Sequence, residues 1–199
     1  MNLEPVSERF SVIEAGFNGD INTARHGLQH ADASIRASAL RSLQRLSALT
    51  DAHLVDALSD QSAEVRRVAV EMSVNLHHVA IHPFLNDADV FVAEMAAWCL
   101  GERTTPSDEE IDALIYATLH HDEPVVREAC AAALGSLGDE RGLPAILAAC
   151  NDKPAVRRRA VLALAPFDGD EVDAALQKAL KDRDWQVRQN AEILLNPRD

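Results

Sequence analysis

Histidine pairs at helical spacing are the residues of this sequence that could bind a metal. His26 and His30 stand four residues apart, a zinc-ligand spacing on a helix, and His78 and His82 repeat it just before Pro83. The motif H-E-x-x-H is missing, and so are C-x-x-C, G-x-S-x-G, the P-loop and G-x-G-x-x-G. We therefore interpret the eight histidines as surface or turn residues, and we predict neither a metal nor a cofactor.

The three cysteines, Cys99, Cys130 and Cys150, lie in alanine-rich apolar windows. An odd number of widely spaced cysteines is typical of buried thiols in a reducing compartment. The N-terminal residues contain no apolar signal-peptide core, and no stretch approaches the ~18 apolar residues of a membrane-spanning helix. We expect a cytoplasmic protein that does not bind membranes.

Acidic residues outnumber basic ones by 32 to 19 among the 199 residues, which gives a formal net charge of −13. This balance argues against nucleic acid or an anionic membrane as the main partner, because both require a positive surface. Aromatic residues make up only 4% of the chain. The core must therefore consist of alanine, leucine, valine and isoleucine, which favours closely packed helices.

A Val-Arg or Ile-Arg dipeptide recurs about every 30 residues along the chain. The dipeptides begin at Ile35, Val65, Val126, Val156 and Val187, and a degenerate copy, Val92-Ala93, divides the one double-length step. A small residue follows four positions after each copy, and a leucine follows eight positions after all but one. These positions share one face of an α-helix, and the polar residues ahead of each copy suit helix N-caps. The sequence thus predicts a series of helix pairs.

The D-x-x-V-R-x-x-A-x-x-x-L pattern of the second helices resembles HEAT repeats, in particular the short bacterial variety typified by phycobilisome-lyase-like proteins. The resemblance implies an all-α fold, a right-handed α-α superhelix (a HEAT-like solenoid) of about six helix pairs, with second helices on the concave side. It would form one domain over residues 1–199. We place a capping helix at 5–18 and the repeats at about 20–47, 50–77, 79–102, 107–137, 139–166 and 169–196.

The same resemblance implies a ladder of ion pairs along the stack. In HEAT-like repeats the arginine after the valine pairs with an aspartate of an adjacent inter-helix turn, which fixes the register of the repeats. The structural arginines would be Arg36, Arg66, Arg127, Arg157 and Arg188. The candidate aspartates are Asp32, Asp60, Asp122, Asp152 and Asp182.

The third repeat departs from the pattern, since Ala93 stands where the others have arginine. Phe91, Met95 and Trp98 follow at helical spacing and, by the family's geometry, lie toward the concave groove. We predict that they form an apolar anchor for a partner; the alternative is that they fill the gap left by the missing ladder residue. The predicted rim of the groove consists of Glu64, Glu71, Glu94 and Glu102, with Arg41 and Arg159 on the same face.

These features predict a non-catalytic interaction scaffold or adaptor that binds another protein, with a basic and partly apolar segment, through its concave face. The alternative is a HEAT-type enzyme. Bilin lyases are similar in repeat type, and HEAT-type alkylpurine DNA glycosylases use a tryptophan and an acid, which Trp98, Glu102 and Trp185 faintly resemble. The acidic surroundings argue against DNA, and the sequence lacks the His-Glu dipeptides of the HEAT-repeat hydroxylases. It leaves the oligomeric state open.

Overall fold

The computed structural model describes residues 4–196, with side chains from Val6 onward, and within this range every regular element is a helix. The α-helices are α1 (Glu4–Asn18), α2 (Ile21–Gly27), α3 (Ala33–Arg45), α4 (Asp51–Leu58), α5 (Ala63–Met72), α6 (Val90–Gly101), α7 (Asp108–His120), α8 (Pro124–Leu137), α9 (Leu143–Ala149), α10 (Pro154–Ala163), α11 (Asp170–Ala179) and α12 (Trp185–Leu195). Short 3-10 helices occupy His82–Asn86 and Glu140–Gly142. The predicted all-α fold is confirmed, and none of the helices in residues 4–196 is long and apolar enough to cross a bilayer.

The chain forms two compact units, Met1–Val79 and Ala80–Asp199. The first contains α1 to α5, and the second contains α6 to α12 together with both 3-10 helices. The single solenoid over residues 1–199 stays a prediction, and each unit is described by itself.

In the first unit, α1 and α3 pack closely because small residues line their contact. Val12 of α1 lies against Ile35 and Ala39 of α3. The Ser42 hydroxyl donates a hydrogen bond to the Val12 carbonyl oxygen at 2.9 Å, and a Cβ at Gly16 would lie only 2.9 Å from that of Ser42. One face of α1 is therefore committed to α3, as a capping helix requires.

In the second unit, α6, α8, α10 and α12 pack side by side in that order. The repeat positions of these helices are buried: Val92, Val126, Val156 and Val187, and four residues later Ala96, Cys130, Ala160 and Ala191. The 3-10 helix His82–Asn86, α7, α9 and α11 are the first members of the helix pairs. The third pair therefore has only a short 3-10 turn as its first helix, and Pro83 lies at the start of that turn.

Two glycines let the second helices of this unit approach one another. A Cβ added to Gly101 of α6 would lie 2.8 Å from the Cα of Ala133 in α8. A Cβ added to Gly135 of α8 would lie 2.6 Å from the Cα of Ala163 in α10. Both distances are too short for any side chain, so the spacing of the two junctions depends on glycine. Gly138 then ends α8 with a left-handed φ of +62°.

Candidate protein-binding site

Each ladder arginine holds the turn before its own helix, and Arg36, Arg127 and Arg157 also bind the turn of the following repeat. In the first unit, Arg36 donates from Nη1 to the carbonyl oxygens of His30 and Ala31, at 2.8 and 2.9 Å. Its Nε and Nη2 atoms reach the two carboxylate oxygens of Asp60, both at 2.7 Å. This bidentate hydrogen bonding lowers the pKa of the Asp60 carboxyl. The arginine thus connects two successive turns.

The second unit repeats this geometry twice. Arg127 binds the carboxylate of Asp152 at 2.6 and 2.9 Å, and Arg157 binds that of Asp182 at 2.9 and 2.8 Å. Both aspartates have a lowered pKa for the same reason. Arg188 donates from Nη1 to the carbonyl oxygen of Asp182 at 2.7 Å.

Arg36 and Arg127 bind the carboxylate of an aspartate in the next repeat, and not that of the aspartate in their own turn. Asp32 accepts from the backbone N–H of Ser34 and caps α3 instead of binding Arg36. Asp122 offers Arg127 its backbone carbonyl oxygen and not its carboxylate. Arg66 likewise donates to the carbonyl oxygen of Asp60 at 2.8 Å. The carboxylate comes from the next turn because the guanidinium points across the stack while Nη1 stays over its own turn.

Two histidines take the place of the ladder aspartate in their turns. The carboxylate of Asp60 accepts from the backbone N–H two residues later, at 2.8 Å. In the equivalent positions, Nδ1 of His30 accepts from Asp32 at 2.9 Å, and Nδ1 of His121 accepts from Glu123 at 3.1 Å. Both histidines therefore have a structural role in a turn. Within residues 4–196, no group of three histidine, cysteine or acidic side chains lies close enough to hold a metal.

The junction between α6 and α8 lacks both partners of the ladder. Ala93 replaces the arginine, and His121 replaces the aspartate that would receive it. The connection from α6 to α7 instead contains an ion pair between Arg103 and Glu110, each only 4% exposed. Glu110 also accepts from the backbone N–H of Ser107 at 3.0 Å and completes the capping box of α7.

A pocket of about 300 Å³, here called the Trp98 pocket, opens beside this junction. Residues of α6, α8 and α10 line it: Glu94, Trp98, Gly101, Glu102, Val125, Glu128, Ala129, Ala132, Ala133, Ser136 and Arg159. The pocket exists because glycine and alanine on the facing helices leave room next to the large Trp98 side chain. Trp98 is 50% exposed, so its ring is available to a ligand.

The charges around the Trp98 pocket are mostly negative. Three carboxylates, those of Glu94, Glu102 and Glu128, line it together with the single cation of Arg159. Arg159 lies 3.7 Å from Glu128, a distance that gives a weak ion pair. Among the described residues, no salt bridge involves Glu94 or Glu102. The pocket thus combines an exposed indole ring with two carboxylates that remain available to a cation.

Comparison with known proteins agrees with the repeat pattern. Residues 111–196 match the family model described as HEAT repeats. Residues 111–196 of this chain are therefore HEAT repeats. No match is found among curated proteins.

Solved structures of repeat proteins share the all-helical fold of this chain. An Escherichia coli protein, YibA, is 19% identical with a TM-score of 0.65, over 94% of this chain and 73% of that one. An engineered protein is 20% identical with a TM-score of 0.62, over 88% and 97% of the two chains. A designed armadillo repeat protein in complex with the peptide (KR)4 is 20% identical with a TM-score of 0.61, over 88% and 98%. At such identities the likeness shows the fold alone.

The predicted anchor residues occupy different environments on α6. Phe91 is 62% exposed and lies two turns before Trp98 on the same helix face, whereas Met95 is half-buried. Neither Phe91 nor Met95 lines the Trp98 pocket. Because Phe91 and Trp98 are both exposed, these rings do not fill an interior gap left by the missing arginine.

The predicted rim is divided between the two units. Glu94, Glu102 and Arg159 line the Trp98 pocket in the second unit. The others, Glu64, Glu71 and Arg41, belong to the first unit. There Arg41 and Glu71 lie 3.8 Å apart, so each is partly neutralised by the other. Their place in a binding surface stays a prediction.

Sequence reasoning missed Glu128 and Ser136, which both line the Trp98 pocket. Glu128 follows Arg127 as Glu94 follows Ala93, so the repeat offered a signal for Glu128 once Glu94 was placed in the rim. A further signal existed in Ala129 and Ala132, because two small residues opposite a large one create space between adjacent helices.

Proposed function

We propose that this chain is a non-catalytic interaction scaffold that binds a segment of another protein at the Trp98 pocket. The bound segment would contain basic and apolar side chains. The observation that supports this most strongly is the half-exposed Trp98 beside the carboxylates of Glu94 and Glu102, neither of which has an ion-pair partner among the described residues.

An apolar contribution would come from the two exposed rings of α6. Trp98 and Phe91 are seven residues apart, so they lie on one face and can contact consecutive parts of one ligand. Exposed tryptophan at the edge of a pocket is typical of interface hot spots, where a few aromatic residues supply most of the binding free energy. An aliphatic or aromatic side chain of the partner would bury its surface against them.

A cationic contribution would come from the pocket charges. A lysine or arginine side chain over the Trp98 ring would gain a cation–π contact of about 0.5–2 kcal/mol. The carboxylates of Glu94 and Glu102 line the same pocket and would attract the same cation. The formal net charge of −13 would also accelerate the approach of a basic segment. The designed armadillo repeat protein of similar fold was solved with a Lys-Arg peptide, which supports this ligand class.

The buried thiols support a reducing, cytoplasmic setting for such a scaffold. Cys99 and Cys130 are buried and Cys150 is half-buried, and none of the three forms a disulfide. Burial raises the pKa of the Cys130 thiol to about 12 and that of Cys150 to about 11, so neither ionises readily.

Peptide binding measured by fluorescence anisotropy tests the proposal, with a labelled Lys-Arg octapeptide as the probe. Wild-type protein should bind it, and the affinity should fall as salt is raised. Trp98→Ala should weaken binding by about tenfold or more, since a central aromatic anchor contributes ~2 kcal/mol. The double variant Glu94→Gln/Glu102→Gln should weaken binding and flatten its salt dependence.

Trp185→Ala provides the matched control, because Trp185 is 61% exposed on α12 and does not line the pocket. It should bind the peptide like the wild type. Both tryptophan variants should keep the helical content and Tm of the wild type, since both rings are exposed. Equal loss of binding in the two variants, or no binding by the wild type at low salt, would overturn the proposal.

A further inference from the structure

A basic groove of about 740 Å³, here called the Lys178 groove, lies between the ends of α9 and α11 in the second unit. Lys178, Lys181 and Arg183 line it, and all three residues are exposed. Two of the three lysines of the whole chain are thus found at one groove, in a protein with a formal net charge of −13. We propose that the Lys178 groove binds an acidic segment of a partner protein, at a site separate from the Trp98 pocket.

The three cations of the groove do not share an acidic partner with one another or with the ladder. Among the described residues, no salt bridge involves Lys178, Lys181 or Arg183. The lining contains one carboxylate, that of Asp182, and both of its oxygens already accept from Arg157, at 2.9 and 2.8 Å. Four cations and one carboxylate therefore line the groove, which leaves a formal charge of +3 for a ligand to neutralise.

The end of α11 does not by itself explain these charges. A lysine in the last turn of a helix is stabilised by the partial negative charge of the helix C-terminus, and Lys178 occupies such a place. Its ammonium nevertheless donates to the side-chain oxygen of Asn151, which follows α9. Lys181 and Arg183 lie past Leu180, the C-cap of α11. The groove is therefore more basic than the end of one helix requires.

The equivalent groove of the first unit is not basic. Its volume is about 320 Å³, and it contains the ladder pair of Arg36 and Asp60 as the Lys178 groove contains that of Arg157 and Asp182. The arginines and aspartates of its lining cancel in charge: Arg25, Arg36, Asp56 and Asp60. The excess of positive charge is thus a property of the Lys178 groove and not of the repeat.

Two arginines of α10 show that the Lys178 groove and the Trp98 pocket face different ways. Arg157 lines the groove, and Arg159 lines the pocket. Residues two positions apart on an α-helix differ in direction by about 200°. No residue lines both sites. A segment bound in the groove would therefore leave the Trp98 pocket open to its own ligand, so the protein could hold a basic and an acidic segment together.

The chemistry of the lining favours the carboxylates of a short protein segment. Ammonium and guanidinium groups form charge-assisted hydrogen bonds with carboxylates, and the amides of Asn151 and Gln177 are further donors. Acidic residues more than ~10 Å away are largely screened at 0.1 M salt, so the groove can attract an anion in spite of the net charge. A long nucleic acid would extend past the groove onto the acidic surface, whereas a short acidic segment would not.

Fluorescence anisotropy with a labelled octaglutamate peptide tests the proposal. The wild type should bind the peptide at low salt, and the affinity should fall as salt is raised. Lys181→Glu should weaken binding by about fivefold to tenfold, because it reverses one charge of the lining. Arg25→Glu is the matched control, since it makes the same change of charge at an exposed residue of the equivalent first-unit groove, and it should bind like the wild type.

Crossed measurements, with each peptide used alone, test whether the two sites are separate. Glu94→Gln/Glu102→Gln should bind octaglutamate no more weakly than the wild type, and Lys181→Glu should bind the Lys-Arg octapeptide no more weakly. Far-UV circular dichroism should show unchanged helix content in Lys181→Glu and Arg25→Glu, because both residues are exposed. No octaglutamate binding by the wild type at low salt, equal octaglutamate affinity of Lys181→Glu and Arg25→Glu, or tighter binding of a labelled DNA octanucleotide would each overturn the proposal.

Discussion

The junction between α6 and α8 and the junction between α8 and α10 share their helix packing and differ in their ion pairs. A glycine contacts the next helix in both, Gly101 in the first and Gly135 in the second. Arg127 and Asp152 then connect the turns of the second junction. The first junction has neither ladder partner, and it is there that the Trp98 pocket opens.

This difference shows that close packing of the helices does not require the ladder. The arginine and the carboxylate are absent together, since Ala93 and His121 occupy their two positions. A lone partner would leave a desolvated charge uncompensated, which costs more than the complete pair contributes. The buried pair of Arg103 and Glu110 instead fixes the connection that leads from α6 to α7.

The largest expected effect is a loss of stability on breaking the buried ion pair of Arg103 and Glu110, beside the junction between α6 and α8. Glu110→Ala should lower the free energy of unfolding by about 3–5 kcal/mol, because the buried charge of Arg103 would lose the carboxylate of Glu110. The capping box of α7 would be lost as well. Urea unfolding followed by circular dichroism measures the change.

A double variant tells the cost of leaving one buried charge unpaired from the contribution of the ion pair itself. Arg103→Met/Glu110→Leu removes both charges and should recover much of the loss, as apolar replacements of buried ion pairs do. A loss below about 1 kcal/mol for Glu110→Ala would contradict the role given to this pair.

A smaller and pH-dependent effect is expected at the second junction. Hydrogen bonds from Arg127 hold the pKa of Asp152 below its ordinary value of 3.8. The stability from this pair is therefore present above pH ~4 and is lost as pH falls through the lowered pKa of the folded state. Asp152→Asn should cost about 1–2 kcal/mol at neutral pH, because the pair is only partly buried.

Urea unfolding at neutral pH and near pH 2 measures this pH dependence. The difference between the wild type and Asp152→Asn should shrink in acid. Asp173→Asn, on the first turn of α11 and without an ion pair among the described residues, is the control and should show no such change. A difference that stays constant with pH would show that Asp152 acts through packing alone.

Much of this architecture could be predicted from the sequence, because a repeat places equivalent residues in equivalent environments. The recurrence of a Val-Arg or Ile-Arg dipeptide about every 30 residues predicted the second helices and the arginines that hold their turns. It could not identify the carboxylate for Arg127, because Asp122 and Asp152 stand at similar places in successive turns. Only the direction of the guanidinium across the stack decides between them.

The candidate site was predictable to a lesser degree. Trp98 could be placed on the exposed side of α6 because its row of positions lies beside the buried row. From its own repeat alone, Glu128 could not be placed in the pocket, since that depends on how far α8 stands from α6. That distance is set by Gly101, and the spacing of residues within one repeat does not reveal contacts between repeats.

The smallest expected effect is the coupling between the two missing ladder partners. Ala93→Arg alone should destabilise the protein, because the new guanidinium would meet His121 instead of a carboxylate. His121→Asp alone should be nearly neutral, since an aspartate can accept the N–H of Glu123 as Asp182 accepts that of Asp184. The double variant should recover about 1 kcal/mol relative to the sum of the single changes.

Ala93→Leu with His121→Asp is the matched control, which enlarges residue 93 without a charge and should show no coupling. Urea unfolding of the wild type and of all the single and double variants measures both coupling free energies. Zero coupling for Ala93→Arg with His121→Asp would mean that the absence of the ladder from this junction does not result from the joint loss of its partners.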